Sequence, residues 1–186
     1  ATEYMFGRVL SAGNETSGAA MVGHFARHGL TDSVALAKVR ARGGGYYPKM
    51  VPRVPESFVR VHDGDVITTG RGVQRHAWRV IVGHGHAPEH LSLYCEAQGV
   101  LIAGDMVLPR ISTNVGVFDL EPEANPLPRY LTSLEALRAL PADTLVLPSH
   151  GLPFVGLHTR IDQQQAHHRA RLDEVRVACA TPQTAA

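Results

Sequence analysis

The chain concentrates histidine in one short stretch, Gly83-His84-Gly85-His86-Ala87-Pro88-Glu89-His90. The apolar runs on either side of it, residues 78–82 and 91–95, are typical of strands. Glycine lets the backbone turn sharply, and a loop at the end of a strand is held by a rigid scaffold. The stretch therefore predicts a strand-end loop that presents an imidazole to a metal ion or a substrate.

Two further side chains that can bind a metal stand in the same kind of position. Asp105 follows directly after the apolar run at residues 100–104, and His150 follows the run at residues 145–149. Neighbouring strand ends would bring His86, Asp105 and His150 together. Two imidazoles and a carboxylate suit Zn²⁺ or a similar divalent ion, and they leave a position open for a water that loses its proton near neutral pH. We predict these three residues as metal ligands, although an isolated Asp after a strand is more often a turn or cap residue.

The rest of the chain predicts helices and a mostly antiparallel sheet, since short strands separated by turns favour antiparallel neighbours. Thr31-Asp32-Ser33 is a good N-cap for the second helix, and Gly43-Gly44-Gly45 ends it before an irregular connection over residues 46–55. The last helix is expected to be amphipathic, with Ile161, His168, Leu172, Val175 and Cys179 on one stripe. Helices are predicted at residues 16–29, from 34, at 131–140 and from 157, and strands at residues 58–61, 66–69, 78–82, 91–95, 100–103 and 144–147.

The composition is that of a folded globular domain. Hydrophobic residues make up 44% and charged residues 19% of the chain, which excludes a disordered protein. The net charge of +1 argues against a nucleic-acid partner without excluding a local basic patch. Two distant cysteines, Cys95 and Cys179, predict buried, reduced thiols and a cytoplasmic location. No apolar run approaches the roughly 20 residues that span a membrane, and the oligomeric state stays open.

Three ordered segments resemble the metallo-β-lactamase superfamily: residues 83–90 before a strand, Leu-Ile-Ala-Gly-Asp at 101–105, and Leu-Pro-Ser-His-Gly at 147–151. The resemblance covers about residue 58 to the end of the chain. It implies an α/β fold of the αββα sandwich type. It also implies that His86 is the first ligand, that Asp105 is the catalytic carboxylate that bridges two metals, and that His150 is the final histidine ligand.

One family signature, His-x-His-x-Asp-His, is absent from the chain. Residues 84–90 imitate it only loosely, because the acid and the last histidine are each displaced by one position. The simplest interpretation is that the signature lies upstream of Ala1, so that residues 1–180 form a metallo-β-lactamase-like domain that is incomplete at its N-terminus. The chain would then be inactive or impaired and would bind at most one metal. An inactivated but complete family member is the alternative. The helix after His150, with His167-His168-Arg169, resembles that of superfamily members with an appended winged-helix domain, which implies that residues 181–186 are the start of such a domain, cut short.

For the intact protein, the resemblance implies a metal-dependent hydrolase that directs a metal-bound hydroxide at an ester, thioester or lactone, in the manner of glyoxalase II relatives. The cofactor would be one or two divalent ions, zinc by preference, with iron or manganese also compatible. Two alternatives stay open. One is a metal-dependent ribonuclease or phosphodiesterase, and the other is a non-catalytic metal-binding or scaffold remnant of the fold.

Residues near the predicted ligands have secondary roles. Arg110, Ser112 and Asn114 follow Asp105 in a loop that would line the substrate pocket, and Arg110 could hold a carboxylate or phosphate in a bidentate manner. Ser112 and Asn114 are equally compatible with capping local turns. His84 and His90 are expected to orient His86 without binding the metal themselves.

Overall fold

In the computed structural model, three parts of the chain are described: residues 16–42, 57–117 and 121–182. The glycines predicted to end the second helix (residues 43–45) and the proline-rich connection (residues 46–55) lie outside these described residues.

Contacts within the chain divide it into two units. The second unit contains every strand among the described residues and all three predicted metal ligands. Of the described residues, the first unit comprises 16–42, 57–59, 117, 121–124 and 175–182, and the second comprises 60–116 and 125–174.

The first unit contains two helices that pack against each other, α1 (Thr16–Arg27) and α2 (Ser33–Arg42). The side chain of Asp32 caps α2, because its Oδ1 accepts a hydrogen bond of 2.6 Å from the backbone N–H of Ala35. The predicted N-cap is therefore confirmed.

The second unit is built on a five-stranded sheet whose strands are neighbours in chain order. The first four strands pair in antiparallel fashion and the last two are parallel, so the prediction of a mostly antiparallel sheet is confirmed. The strands are β1 (Val66–Thr69), β2 (His76–Gly83), β3 (His90–Cys95), β4 (Val100–Gly104) and β5 (Leu145–Pro148).

This pairing brings the ends of three strands to one edge of the sheet. Since β3 is antiparallel to both β2 and β4, and β5 is parallel to β4, the strands β2, β4 and β5 all run in the same direction. The residues that follow them therefore leave the sheet at the same edge, and β3 begins there. The predicted ligands follow β2, β4 and β5, as expected from the sequence.

Two helices cover one face of the sheet, α3 (Pro126–Ala136) and α4 (Leu157–Ala178). Proline has no backbone N–H, and the N–H groups in the first turn of a helix have no partner within the helix. Pro126 therefore suits the start of α3. The buried cluster between the helices and the sheet consists of Tyr94, Leu101, Ala103, Met106, Val107, Tyr130, Leu134, Leu137, Leu140, Val146, Leu157 and Ile161.

The two faces of the sheet differ in burial because side chains alternate along a strand. Tyr94 lies opposite Leu101, and Leu101 lies beside Val146; these three are buried against the helices. On the other face, Ile102 and Leu145 remain exposed to solvent by 38% each. The second face is therefore aliphatic and only partly covered in the described residues.

The predicted strand at residues 58–61 is wrong. These residues adopt no regular secondary structure, and the side chain of Val59 is 88% exposed. The chain joins the sheet only at the following turn, where Gly64 N–H donates to Val80 O and Val80 N–H donates to Asp65 O. An alternating pattern shows that a segment could form a strand, but it does not supply the neighbouring strand with which to pair.

The bounds of the helix predicted at residues 131–140 are also corrected. The α-helix begins five residues earlier, at Pro126, and ends at Ala136, and a 3₁₀ turn (Leu137–Ala139) follows it. The prediction used the spacing of apolar residues, which identifies the buried part of the helix but not its first turn. The helix begins at Pro126, after the N-cap residue Asn125.

The last helix is present as predicted, but its buried stripe is shorter. Leu157 and Ile161 are fully buried in the first half of α4, whereas Leu172 is 50% exposed. Of the two cysteines, both of which are free thiols, Cys95 is buried as predicted and Cys179 is exposed, contrary to the prediction.

Candidate metal centre

Asp105 lies between two imidazoles and directs a different carboxylate oxygen at each. His86 Nε2 is 3.4 Å from Asp105 Oδ2, and His150 Nε2 is 3.5 Å from Asp105 Oδ1. Both separations are longer than a hydrogen bond between nitrogen and oxygen, which is about 2.7–3.2 Å. Two ligands about 2.1 Å from the same tetrahedral ion lie roughly 3.4 Å apart, so each pair has the spacing of two ligands of one metal.

The hydrogen bonds of His86 determine which of its nitrogens is free. Its Nδ1 is 2.9 Å from the carbonyl oxygen of Asn114 and 3.1 Å from the hydroxyl oxygen of Thr113. A carbonyl can only accept, so Nδ1 carries the proton in the neutral ring. The lone pair then lies on Nε2, which faces Asp105. Histidine ligands of metals typically have this arrangement, with the second nitrogen donating to a backbone carbonyl.

The side chain of Asp105 is oriented by Ser149. The Ser149 hydroxyl donates a hydrogen bond of 2.6 Å to Asp105 Oδ1, the oxygen that also faces His150. A carboxylate oxygen has two lone pairs, so Oδ1 can accept this bond and still bind a cation. Ser149 was not predicted from the sequence, although its position beside His150 after β5 was a signal that could have revealed it.

His90 holds the backbone of Asp105 in place. Its Nε2 accepts a hydrogen bond of 3.1 Å from the Asp105 N–H, and its Nδ1 is buried without a hydrogen-bond partner among the described residues. Burial lowers the pKa of His90, and the nearby His86 lowers it further. The negative charge of Asp105 raises it, but less than the other two effects lower it. A lowered pKa favours the neutral ring, which the acceptor role of Nε2 requires.

Glycine is required at position 104, between β4 and Asp105. Gly104 has a positive φ of 54°, and a Cβ at this position would lie 2.7 Å from both Cε1 and Nε2 of the His90 ring. Any side chain would therefore displace the imidazole that binds the Asp105 N–H. The Gly-Asp pair allows the ring of His90 to approach the end of β4.

His84 fixes the loop and does not reach Asp105 through any interaction among the described residues. Its Nδ1 lies 2.7 Å from the carbonyl oxygen of Pro88, an acceptor, and 3.1 Å from Arg129 Nη2, a donor. Its backbone N–H donates to the Ser133 hydroxyl at 2.9 Å. Within the same loop, Gly85 has φ 108° and packs so closely on Tyr130 that a Cβ would lie 2.4 Å from the Cβ of Tyr130.

The loop after Asp105 contains the residues predicted to contact substrate. Arg110 is exposed and makes no hydrogen bond or ion pair with another described residue, so its guanidinium is available. Ser112 is half-buried, and Asn114 contributes its backbone carbonyl to His86. The Thr113 hydroxyl beside His86 was not predicted, because nothing in the sequence shows that this loop folds back over His86. Substrate contacts by Arg110, Ser112 and Asn114 stay predictions.

No three His, Cys, Asp or Glu side chains converge on a single point in the parts of the chain that the structure describes. Instead, Asp105 is shared by two pairs, one with His86 and one with His150. The donor set fits a divalent metal, because it combines neutral imidazole nitrogens with a carboxylate. In this arrangement each carboxylate oxygen of Asp105 faces one imidazole nitrogen.

The metallo-β-lactamase superfamily model matches residues 19–150, which include all three predicted ligands. The chain belongs to this superfamily. Its members typically bind divalent metals and act as hydrolases. The family and the α/β fold predicted from the sequence are therefore confirmed.

Individual superfamily members resemble the chain over different lengths. A β-lactamase domain protein from Burkholderia ambifaria is 55% identical, with a TM-score of 0.86 over 98% of this chain and 49% of that protein. A metallo-β-lactamase family protein from Thermus thermophilus is 30% identical, with a TM-score of 0.72 over 97% of this chain and 54% of that protein. A probable metallo-hydrolase of Bacillus subtilis, YqjP, is 30% identical over 59% of this chain and 35% of that protein.

The chain thus spans about half of each of the two solved structures and about a third of the Bacillus protein. No helix among the described residues is long and apolar enough to cross a membrane.

Proposed function

We propose that the protein is a metal-dependent hydrolase of small acyl compounds, with Asp105 bridging two divalent ions, zinc by preference. The observation that carries the proposal is the geometry of this carboxylate, each oxygen of which faces the Nε2 of a different histidine at 3.4 and 3.5 Å. His86 would hold one metal and His150 the other. When bound, such ions supply Lewis acidity and activate water as a nucleophile.

The residues of the chain contribute orientation to this reaction. The carbonyl of Asn114 keeps the proton of His86 on Nδ1, so that Nε2 stays available for a metal. Ser149 and His90 hold the side chain and the backbone of Asp105, respectively. Three separate hydrogen bonds therefore fix the two ligands before any metal is present, which reduces the entropy lost on binding.

The substrate is an ester, thioester or lactone in this proposal, and its polar end is held by Arg110. Arg110 suits this role because it lies on the loop directly after the bridging carboxylate and makes no hydrogen bond or ion pair to other described residues. A guanidinium can bind a carboxylate with two parallel hydrogen bonds.

This chain by itself is expected to be impaired. Catalytic zinc sites usually have three protein ligands, and each pair of Asp105 with a histidine offers two, one of them shared. Fewer protein ligands imply weaker binding and a less well defined position for the substrate.

The test is the substitution Asp105→Ala, measured together with the exposed control Asp143→Ala, which lies outside the metal centre. We expect Asp105→Ala to abolish zinc binding in calorimetric titration and to abolish any zinc-dependent hydrolysis of p-nitrophenyl acetate, a thioester and a lactone. Asp143→Ala should bind and hydrolyse as the unsubstituted chain does.

Three results would count against the proposal. Unchanged zinc binding in Asp105→Ala would refute the bridging role. Cleavage of bis-p-nitrophenyl phosphate or RNA without acyl turnover would replace the acyl substrate by a phosphodiester. Zinc binding without turnover of any of these compounds, also in a chain extended to the length of its relatives, would indicate a non-catalytic metal-binding protein.

A further inference from the structure

The first half of α4 holds the loop that follows Asp105 by its backbone carbonyls. Arg160 Nε donates to Leu108 O at 2.6 Å, and Arg160 Nη2 donates to Ile111 O at 2.9 Å. The side-chain amide of Gln164, which is buried, donates to the same Leu108 carbonyl at 3.4 Å. One planar guanidinium therefore clamps two carbonyls that lie three residues apart, using two of the donors that arginine presents in fixed directions.

Arg160 is itself held in position. Its Nη1 donates to Gln163 Oε1 at 3.0 Å, one turn further along α4. Burial lowers the pKa of Arg160, but arginine stays charged at any ordinary pH. The charge makes its bonds to the two loop carbonyls stronger than bonds between neutral groups.

The far end of the same loop touches a predicted metal ligand. Only two residues separate Ile111, the last carbonyl held by Arg160, from Asn114, whose carbonyl accepts the Nδ1 proton of His86 at 2.9 Å. Thr113, which is 5% exposed, lies between them and places its hydroxyl 3.1 Å from the same nitrogen. A short segment with one end clamped has little freedom to move its other end.

We propose that Arg160 is a positioning residue for His86: by clamping Leu108 and Ile111 it keeps the Asn114 carbonyl where it selects the tautomer of His86 that has Nε2 free. Arg160 acts through the loop and touches neither the metal nor the substrate. The consequence for metal binding rests on the proposed function, whereas the effect on the tautomer does not.

The effect follows from the chemistry of a neutral imidazole, in which only one nitrogen carries the proton. If the Asn114 carbonyl moves away, both tautomers of His86 become populated, and the form with the proton on Nε2 cannot bind a metal at that atom. The apparent dissociation constant then rises in inverse proportion to the competent fraction. Removal of outer partners of metal ligands typically weakens metal binding by about 10- to 100-fold.

The test reads the tautomer directly, by ¹⁵N NMR of the histidine side chains in the metal-free 186-residue chain at about pH 8. The His86 signals are assigned by their loss in His86→Gln. In the unsubstituted chain we expect a protonated Nδ1 and an unprotonated Nε2. In Arg160→Met, which keeps the apolar stem and loses the donors, we expect the two ¹⁵N shifts to converge, as they do when tautomers exchange.

Arg169→Met is the matched control, because Arg169 is exposed on the same helix and the substitution removes the same charge. Its His86 shifts should equal those of the unsubstituted chain. Arg160→Lys keeps the charge but offers a single ammonium in place of the fork, and it gives a second reading should Arg160→Met fail to fold. Convergence of the His86 shifts in Arg160→Met, or in Arg160→Lys if only that variant folds, supports the proposal, and unchanged shifts in the same variant overturn it.

A zinc titration separates this proposal from the proposed function. Arg160→Met should weaken zinc binding by about tenfold, and in a His86→Gln background it should have no further effect. If the unsubstituted chain binds no zinc but the tautomer responds to Arg160, the metal proposal fails and the positioning role stands. If zinc binds but the tautomer does not respond to Arg160, the metal proposal stands and the positioning role fails.

Discussion

Gly104 shows how closely the chain must approach its own side chains at the edge of the sheet. Its φ of 54° is costly for any residue with a Cβ, and the His90 ring occupies the space that a Cβ would need. We predict that Gly104→Ala destabilises the protein by about 2–3 kcal/mol, the sum of backbone strain and of a lost hydrogen bond to Asp105 N–H. Urea denaturation followed by the fluorescence of Trp78, the single tryptophan, measures this.

Gly99 provides a matched control for the strain alone. Its φ of 60° is nearly the same, but a Cβ at this position would meet no atom within 4 Å. Gly99→Ala should therefore cost only about 1–2 kcal/mol. Equal losses for the two substitutions would show that the contact between Gly104 and His90 has no energetic role.

His168 on α4 makes the stability of the fold sensitive to acid. Its Nε2 is buried without a partner among the described residues, and its ring stacks edge-on against Tyr130, with centroids 5.6 Å apart. Burial lowers the pKa of His168, and the neighbouring His167 lowers it further. The unfolded chain therefore binds a proton more readily than the folded one.

The sign of the pH effect follows from this difference. The stability linked to His168 is fully present above the ordinary histidine pKa of 6.5 and is lost as the pH falls through the lowered folded value. We predict that His168→Asn makes the free energy of unfolding fall less between pH 7.5 and pH 5. His90, whose pKa is also lowered, keeps part of the dependence. The prediction is contradicted if the free energy of unfolding of His168→Asn falls as steeply with decreasing pH as that of the unsubstituted chain. His62→Asn, at an exposed position, is the control.

At the scale of elements, the edge of the sheet is braced by α3. Ser133, which is 8% exposed, accepts a hydrogen bond from His84 N–H at 2.9 Å and donates to Arg129 O at 2.8 Å. A serine in the middle of a helix thereby supplies an acceptor to the loop that carries His86. The position of that loop depends on the docking of α3 against β2 as well as on its own glycines.

Ser133→Ala should leave the His84 N–H without an acceptor, at a cost of about 1–3 kcal/mol in the free energy of unfolding. Thr132→Ala, at the adjacent exposed position, should change the stability by less than about 0.5 kcal/mol. Urea denaturation of the two variants compares them, and equal stabilities would refute the bracing role of Ser133.

At the scale of the whole molecule, two observations concern the metal affinity and the stability of this chain. Among the described residues each carboxylate oxygen of Asp105 faces a single imidazole, and the sheet presents a partly exposed aliphatic face through Ile102 and Leu145. The chain covers about half of the solved structures it resembles. Because each pair offers two donors where a catalytic zinc site usually has three, and part of the sheet face is exposed, the metal affinity and the stability of this chain are expected to be modest.

We predict that the isolated chain retains at most one zinc ion per molecule after desalting, measured by plasma mass spectrometry. Excess zinc should still raise the unfolding temperature, because a ligand at 100 times its dissociation constant stabilises by about 2.7 kcal/mol. Asp105→Ala should lose this shift. Two zinc ions retained per chain would contradict the expectation of modest metal affinity.

Sequence alone determined the family and the positions of the candidate ligands, because buried strands, the glycines that end them and the polar residues that follow are local patterns. His86, Asp105 and His150 could be predicted in this way, and so could the common edge at which they meet. The same local reasoning failed at residues 58–61, where an alternating pattern had no strand with which to pair.

Tertiary structure decided which individual atoms of distant residues meet. The tautomer of His86 depends on a carbonyl 28 residues away, and the clamp of Arg160 on Leu108 spans 52 residues. Backbone carbonyls carry no signature in a sequence, since every residue has one. Which carbonyl accepts which proton is determined only when strands and helices pack, and that packing preorganises the candidate ligand His86.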